Sequence, residues 1–510
     1  MCIRDRLGTG QLSILDNGRL SGTSAIAING GILQIDNSNG LSNNNDRVKD
    51  SAAITLNSGN ITYIGRAQTA STETLGALTV NSGASAVTVN SGGTGVNSAD
   101  LTLDSVTRTA GSGATVNFLL GGTGGAIGSG NGRIKVTNPA TLTAGMVNNI
   151  IPWAAVQGQF ASYIPYTSVN GVSAGGVGPL GTAGYAAYDS TATTYNAVNQ
   201  PTWNAYAGGA TTITGAVTLN SLGVNGTTLN FTNPTDSINV VSGGLLVNGN
   251  LNTIGASLDS GRITAGGPAS SGTVDLYLWS GSSNNNTNIL NSRIVDNGSG
   301  RTRLVLNFRG DTNRTLFMNN GANSYTGGTV LNTSAVLQAT SGVVIPNDLT
   351  GLTGLVINNS TVTMSNIAGQ IDPGNAVTMN DNSTLTLFGD NSLQKLTFNN
   401  NSGNAPTVTT GGTLTLTNTA AITTLSTVPS AVTVNGLVSL PSGSTLSVGA
   451  ATFNSTVINP LAADVIFNGI SGGGGSMTKS GTGVVQFNAC LLYTSPSPRD
   501  RTRSRMPSSA

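Results

Sequence analysis

One short phrase, an apolar residue, Thr, another apolar residue and Asn, followed by small turn residues, recurs along this chain and constrains its fold more than any other feature. It occurs twice in residues 78–92, LTVNSGASAVTVNSG, as Leu78-Thr79-Val80-Asn81 and as Val87-Thr88-Val89-Asn90. It returns as Ile54-Thr55-Leu56-Asn57, Val217-Thr218-Leu219-Asn220, Val377-Thr378-Met379-Asn380 and Val432-Thr433-Val434-Asn435. Apolar residues two apart, with a β-branched polar residue between them, have the period of a strand buried on one face. Asn followed by Ser or Gly then ends the strand, because Asn tolerates the left-handed conformation and Gly adopts it without steric cost. The interval between the two copies in 78–92 is too short for a whole coil of a stacked structure. They are expected on successive sides of one coil, with Val80 and Val89 in the core and Asn81 and Asn90 at corners.

Such a phrase repeated over hundreds of residues predicts an all-β solenoid, in which each coil covers the open edge of the one before. Asn residues at matching corners are expected to stack in ladders along the axis, their amides hydrogen-bonding from coil to coil. A β-sandwich also uses short alternating strands, but it closes within about 100 to 250 residues and has no reason to repeat one turn word throughout. A charged fraction of 8%, against about 25% in ordinary soluble domains, and 70 glycines in 510 residues are also compatible with disorder. Disorder, however, does not require Val, Ile and Leu to keep a period of two. With about 20 to 25 residues and about 4.8 Å per coil, the repeats predict one thin, uncapped rod on the order of 80 to 100 Å long. No apolar run reaches the roughly 18 residues of a membrane helix.

The two ends share nothing with the body. Residues 1–6 (MCIRDR) and 489–510, which carry CLLYTSPSPRDRTRSRMPSSA, resemble the two strands of one sequencing-library adaptor translated with its insert. The codons TGT CTC TTA TAC ACA TCT encode residues 490–495, and their frame-shifted reverse complement contains ATG TGT ATA AGA GAC, which encodes residues 1–5. Both ends are therefore expected to be artefacts, outside the fold. They hold six Arg and two Asp, so the totals of 21 basic and 20 acidic residues fall to 15 and 18 in the body, and the basic tail disappears as a clue to nucleic acid or membrane. Both cysteines, Cys2 and Cys490, lie in these ends, and the chain has no His. Disulfides, thiol nucleophiles, His-dependent triads and imidazole metal sites are thus excluded from the body.

The body divides into solenoid repeats over 7–143 and 211–488, separated by an insertion at 144–210. In that insertion crowd Trp153, Phe160, Tyr163, Tyr166, Tyr185, Tyr188, Tyr195, Trp203 and Tyr206, punctuated by four prolines. One reading is a sugar-stacking or partner-binding module built on Trp153 and Trp203. The other is an insertion whose aromatics form a small core of their own against the solenoid.

Residues 314–338, RTLFMNNGANSYTGGTVLNTSAVLQ, resemble the autotransporter-associated β-strand repeat, or passenger-associated transport repeat, whose hallmark is Asn-x-Tyr-Thr-Gly-x-Thr followed by a strand. Asn323, Tyr325, Thr326, Gly327 and Thr329 match it, while Ala335-Val336-Leu337 replaces the usual Gly-Thr-Leu. Residues 474–488, GGSMTKSGTGVVQFN, resemble the first half of the same repeat through Lys479, Gly481 and Gly483. The resemblance implies a right-handed parallel β-helix from the passenger region of a large bacterial surface or secreted protein. It also implies an extracellular or outer-membrane-surface location, with any membrane contact made through a C-terminal region not present in this sequence.

Catalysis on a β-helix needs clustered carboxylates with a base or a metal. The body has a single Glu, Glu73, and scattered Asp residues. Asp100 and Asp104 bracket Leu101-Thr102-Leu103 and read as turn residues. Residues 36–50, DNSNGLSNNNDRVKD, carry oxygen ligands for a hard cation, but match no calcium-loop pattern and read as a solvated Asn-rich loop. Strand alternation sets Arg301, Arg303, Asn307 and Arg309 on one face, with Leu304, Leu306 and Phe308 on the other. That basic face is either a dock for an anionic glycan or lipid headgroup, or a solvated face partnered by Asp296 and Asp311. Together these features predict a non-catalytic structural or adhesive protein that needs no cofactor or metal. Its expected partners are an extracellular glycan or another surface protein, not nucleic acid. The alternative is a carbohydrate-binding or carbohydrate-active β-helix using the insertion or the Arg301 to Arg309 face.

Overall fold

The computed structural model describes residues 5–6, 10–38, 43–92, 98–121, 132–169, 172–182, 184–248, 253–267, 271–280, 288–308, 315–453, 456–457, 462–472 and 476–488. The chain is a parallel β-helix. Most strands pair in parallel with the equivalent strand one coil later, and successive strands of a coil commonly fall in different sheets. The doubled phrase shows the principle. Leu78–Ser82 joins one sheet and Ala84–Asn90 another, so they are two sides of one coil. Ile54 pairs with Leu78 below it, and Ala84 with Thr115 above. Leu78, Val80, Val87 and Val89 are fully buried, and the intervening Thr79 reaches Thr107 of the next coil, hydroxyl to hydroxyl, at 3.3 Å.

Asn ladders run up the corners. In the N-terminal part Asn57 donates to Asn29 at 2.8 Å, Asn81 to Asn57 at 2.7 Å, and the Thr109 hydroxyl caps Asn81 at 2.7 Å. A second ladder joins Asn332, Asn358, Asn380 and Asn399 through bonds of 2.6 to 2.7 Å. Successive rungs are 28 and 24 residues apart in the first ladder and 26, 22 and 19 in the second, so coil length varies while the corner stays in register. Asn suits this position because one amide donates and accepts along the axis, and each rung satisfies the next.

The single uncapped rod expected from the repeats is not what forms; the chain builds two solenoids and folds back between them. The end of the first is closed by residues of the presumed insertion. Ile151–Val156 stacks in parallel on Thr115–Leu120. Gln159–Val169 and Val172–Pro179 then form an antiparallel hairpin, and its second strand pairs with Gly132–Val136 on another side of the coil. Two exposed sheet edges are thereby covered, which a stack of β-coils needs in order not to pair with other chains. The second solenoid begins within the same region, at Thr194–Asn196 and Asn199–Ala207, which pair in parallel with Thr211–Thr214 and Ala216–Asn225. Residues 144–210 are therefore the cap of one rod and the first coil of the next, not an independent module. At the other end Asp5–Arg6, placed by sequence outside the fold, pairs with Ala27 and Ile28; a coil edge offers free backbone groups to any extended segment.

The rods lie side by side and antiparallel. Moving up the chain in the second, Asn220 donates to Val147 O, Asn248 to Gly158 O, the Trp279 indole to Pro152 O and Asn332 to Gly113 O. Gly30, far down the first rod, lies against Ser402: a Cβ built there would sit 2.9 Å from the Ser402 Cβ. Gly113 is equally confined, its Cβ position 2.7 Å from a Val330 methyl, and its φ of +65° favours glycine in any case. Leu246, Tyr277, Trp279, Val305 and Val330 project outward from the second solenoid and are buried in the core of the first, while their neighbours Leu245, Leu278, Leu304 and Leu331 fill the second. Strands at the seam are thus apolar on both faces, and their sequences lose the alternation seen elsewhere.

The Asn-rich stretch 36–50 is solvated only in part among its described residues: Asn45, Asp46, Lys49 and Asp50 are exposed, but its polar anchor points are inside. Asn37 and Arg47 are fully buried, and Arg47 donates through Nε to Asn37 at 2.7 Å and through a terminal nitrogen to Asp16 O at 2.7 Å. Glu73 accepts the backbone N–H groups of Arg47 and Val48 at 2.8 to 3.1 Å. Burial pushes its carboxyl up to about 7, against the pull of those two N–H groups. The folded protein therefore keeps this proton between about 4.5, the unfolded value, and about 7, whereas the unfolded chain loses it. Stability from this group is full below 4.5 and is lost as pH rises through 7. Denaturant unfolding at pH 5 and pH 8 is expected to show up to about 3 kcal/mol of such loss, and Glu73→Gln should flatten it. A slope unchanged in the variant would sink this assignment.

Candidate functional site at the seam

A cleft of about 530 Å³ opens where the cap, the last turns of the first rod and one sheet of the second rod meet. The first rod contributes Arg108 and Gly111, the cap contributes Pro152 and Trp153, and the second rod contributes Asp275, Tyr277 and Arg303. The turn carrying Thr350, Leu352 and Thr353 forms its rim. That turn is tied down by Asp348, which accepts the N–H groups of Thr350, Thr353 and Gly354 at 2.7 to 2.8 Å and the Thr350 hydroxyl at 2.5 Å. Although burial opposes its charge, these bonds hold the Asp348 carboxyl below the usual range. Leu352 is left 89% exposed beside the opening.

Asp275 is the electrostatic centre. Its neighbour in register on the next strand is Arg303, which reaches it at 2.6 Å. Arg108, from the other rod, reaches its second oxygen at 3.2 Å, and the Tyr277 hydroxyl donates to that oxygen at 2.6 Å. The Arg108 guanidinium also lies 5.6 Å from the centre of the Tyr277 ring. Burial alone would raise the Asp275 carboxyl, but the Arg303 hydrogen bond, the charges of Arg303 and Arg108 and the Tyr277 hydroxyl together hold it below the usual range. Burial and the Asp275 charge push the Tyr277 phenol well up. Arg303 further donates to Gly111 O at 2.5 Å, locking the two rods together.

Sequence reasoning named Trp153 and Arg303 on separate grounds, and the structure brings them into this one cleft. It does not bring Trp203 or Arg301 there. Trp203 is half-buried against the core of the second rod, and Arg301 lies half-buried opposite Thr273. Arg309 and Asp311 lie outside the described residues, as does the side chain of Tyr166. The partner expected for the basic face is also different: Asp296 accepts Thr302 N and the Thr326 hydroxyl, and Arg303 turns to Asp275, which the sequence had not marked. Asp100, read as a turn residue, is instead buried within Ser98–Leu103, where Arg133 and Lys135 of the next coil donate to it at 2.5 and 2.6 Å. Among the described residues lining the cleft, Asp275 is the one carboxylate. Among all described residues, no three His, Cys, Asp or Glu are grouped closely enough to hold a metal ion.

The remaining aromatics of residues 144–210 pack the joint between the rods. Phe160 and Tyr195 are almost fully buried, and Tyr188 stacks on Tyr206 at 4.9 Å. Tyr163 and Tyr185 donate to Val136 O and Gly176 O. The repeat-motif residues have structural work of a similar kind. Asn323 accepts Ile294 N at 2.9 Å and donates to Val344 O at 2.8 Å, stitching three coils together. Tyr325 is fully buried, with its hydroxyl on Thr329 at 2.8 Å. Thr326 binds Asp296 of the coil before through both its N–H and its hydroxyl. Gly327 donates to Thr302 O at 2.9 Å, and a Cβ there would sit 2.6 Å from that oxygen. In the later half-motif Lys479 closes its own turn on Gly481 O, and Gly483 donates to Val448 O at 2.8 Å.

Fold and site together define a parallel β-helix doubled back on itself, with a guanidinium-rich cleft at the crossing. Comparison of the chain with models of protein families, with curated proteins and with solved structures finds no match.

Proposed function

We propose that this chain is a structural or adhesive passenger region of a bacterial surface or secreted repeat protein, acting by extension and presentation rather than by catalysis. The observation that carries this reading is where its polar chemistry goes. Asn ladders, Asp296, Asn323 and Glu73 all bond the coils to one another, and the carboxylate of the cleft is already neutralised by two guanidinium groups. General acid–base work needs a carboxyl free to exchange a proton with substrate, and Asp275 is not in that condition. The resemblance of residues 323–329 to the passenger repeat supports an extracellular location. Brief external protease treatment of intact bacteria expressing the tagged full-length protein is expected to remove the tag. Full protection of the tag on intact cells, or release of reducing sugar from polysaccharides by the purified chain, would overturn the proposal.

A further inference from the structure

We infer that the cleft at the seam binds a carboxylate-bearing sugar unit. This goes beyond the scaffold reading and does not depend on it. The cleft offers hydrogen-bond donors and little to accept. Both oxygens of Asp275 are occupied by Arg303, Arg108 and Tyr277. Arg108 spends one nitrogen on Asp275, and its other N–H groups meet no acceptor among the described residues. Trp153 is 7% exposed, and its indole N–H, facing the space beside Gly145, likewise has no acceptor among the described residues. The residues that line the cleft set two guanidinium groups against one carboxylate, while Asp348 behind the rim is engaged by its own turn, so the lining favours an anion. A planar guanidinium can match a carboxylate in two parallel hydrogen bonds; on the opposite wall Arg303 already brings Nε and a terminal nitrogen to one oxygen of Asp275.

The rest of the lining is suited to a sugar ring rather than to a bare ion. Pro152, Trp153, Tyr277 and Leu352 supply apolar surface, while the Ser242 and Thr350 hydroxyls, whose protons go to Asn220 O and Asp348, supply oxygens with a remaining lone pair to accept. Flat apolar area beside a few convergent polar groups is what a pyranose presents in complement. The volume of about 530 Å³ is enough for one or two sugar units. The site is also preorganised: the tied turn at Asp348 holds the rim, and the antiparallel rods hold the walls, so little ordering is left to oppose binding.

Titration calorimetry of the full chain with glucuronate, glucose and acetate tests this. Glucuronate is expected to bind with a Kd of about 1 mM or tighter, and glucose and acetate at least about tenfold more weakly. Arg108→Gln should weaken glucuronate about tenfold or more, and Trp153→Phe, which keeps a ring but removes the N–H, should also weaken it. Arg301→Gln, outside the cleft, should leave it unchanged. If Arg108→Gln proves unfolded by circular dichroism, Trp153→Phe carries the test. Failure of glucuronate to bind, equal binding of acetate or of glucose, or unchanged binding in a folded cleft variant would overturn the inference. None of these results bears on surface location.

Discussion

Arg303→Met is expected to cost about 3 to 5 kcal/mol of stability. The Arg303 and Asp275 side chains are each 9% exposed, so removing the cation leaves a buried anion with only the 3.2 Å contact from Arg108 and the Tyr277 hydroxyl. The same change removes the bond to Gly111 O, one of the direct ties between the rods. Loss should therefore be concentrated at the seam. Hydrogen exchange should quicken at the amides of Tyr277, Trp279 and Val305 before it does in the distant strand Val377–Asn380. Arg301→Met on the same strand, at a half-buried position without an ion pair among the described residues, should stay within about 0.5 kcal/mol. A loss below about 1 kcal/mol for Arg303→Met would mean that Arg108 suffices as partner and that the seam is held by apolar burial alone.

The second large effect is expected in the ladder. Asn358 is 2% exposed, donates to Asn332 at 2.7 Å and accepts from Asn380 at 2.6 Å. Asn358→Ala leaves an acceptor on one coil and a donor on the next without partners, at about 1 to 3 kcal/mol each, so a total of about 2 to 6 kcal/mol is expected by denaturant unfolding. Asn332 also ties the ladder to Gly113 O of the first rod, so the effect should spread to the seam. The exposed rung from Asn468 to Asn435 is the control, because water replaces what Asn468→Ala removes, and its loss should stay within about 0.5 kcal/mol. Equal losses at the two positions would show that the ladders contribute through turn conformation and not through their hydrogen bonds.

Much of the coil was legible from local pattern. The nine-residue doubling at Leu78 and Val87 is two sides of one coil, as its spacing required, and the Asn corners stack as the side chain's paired donor and acceptor allow. The site was only half legible. Trp153 and Arg303 stood out by residue type, but Asp275, Tyr277 and Arg108 carry no local mark, because what unites them is register between coils and the approach of a second rod. One signal was available. Residues 245–247 (LLV), 276–279 (LYLW) and 304–306 (LVL) break the alternation that Val377-Thr378-Met379 keeps, and a strand apolar at consecutive positions is buried on both faces. Those three runs mark the surface that the first rod covers.

The sequence by itself determined the period of two, the turns, the one-sided cores and the corner ladders, because each of these depends on residues within a coil or on the same position one coil later. Only the tertiary structure decided that the rod doubles back, that its aromatic segment is a cap and a first coil, and that two arginines from distant coils close on one aspartate. Those contacts join residues such as Arg108 and Asp275, 167 positions apart. They follow from complementarity between whole surfaces, and no repeat of the local phrase encodes it.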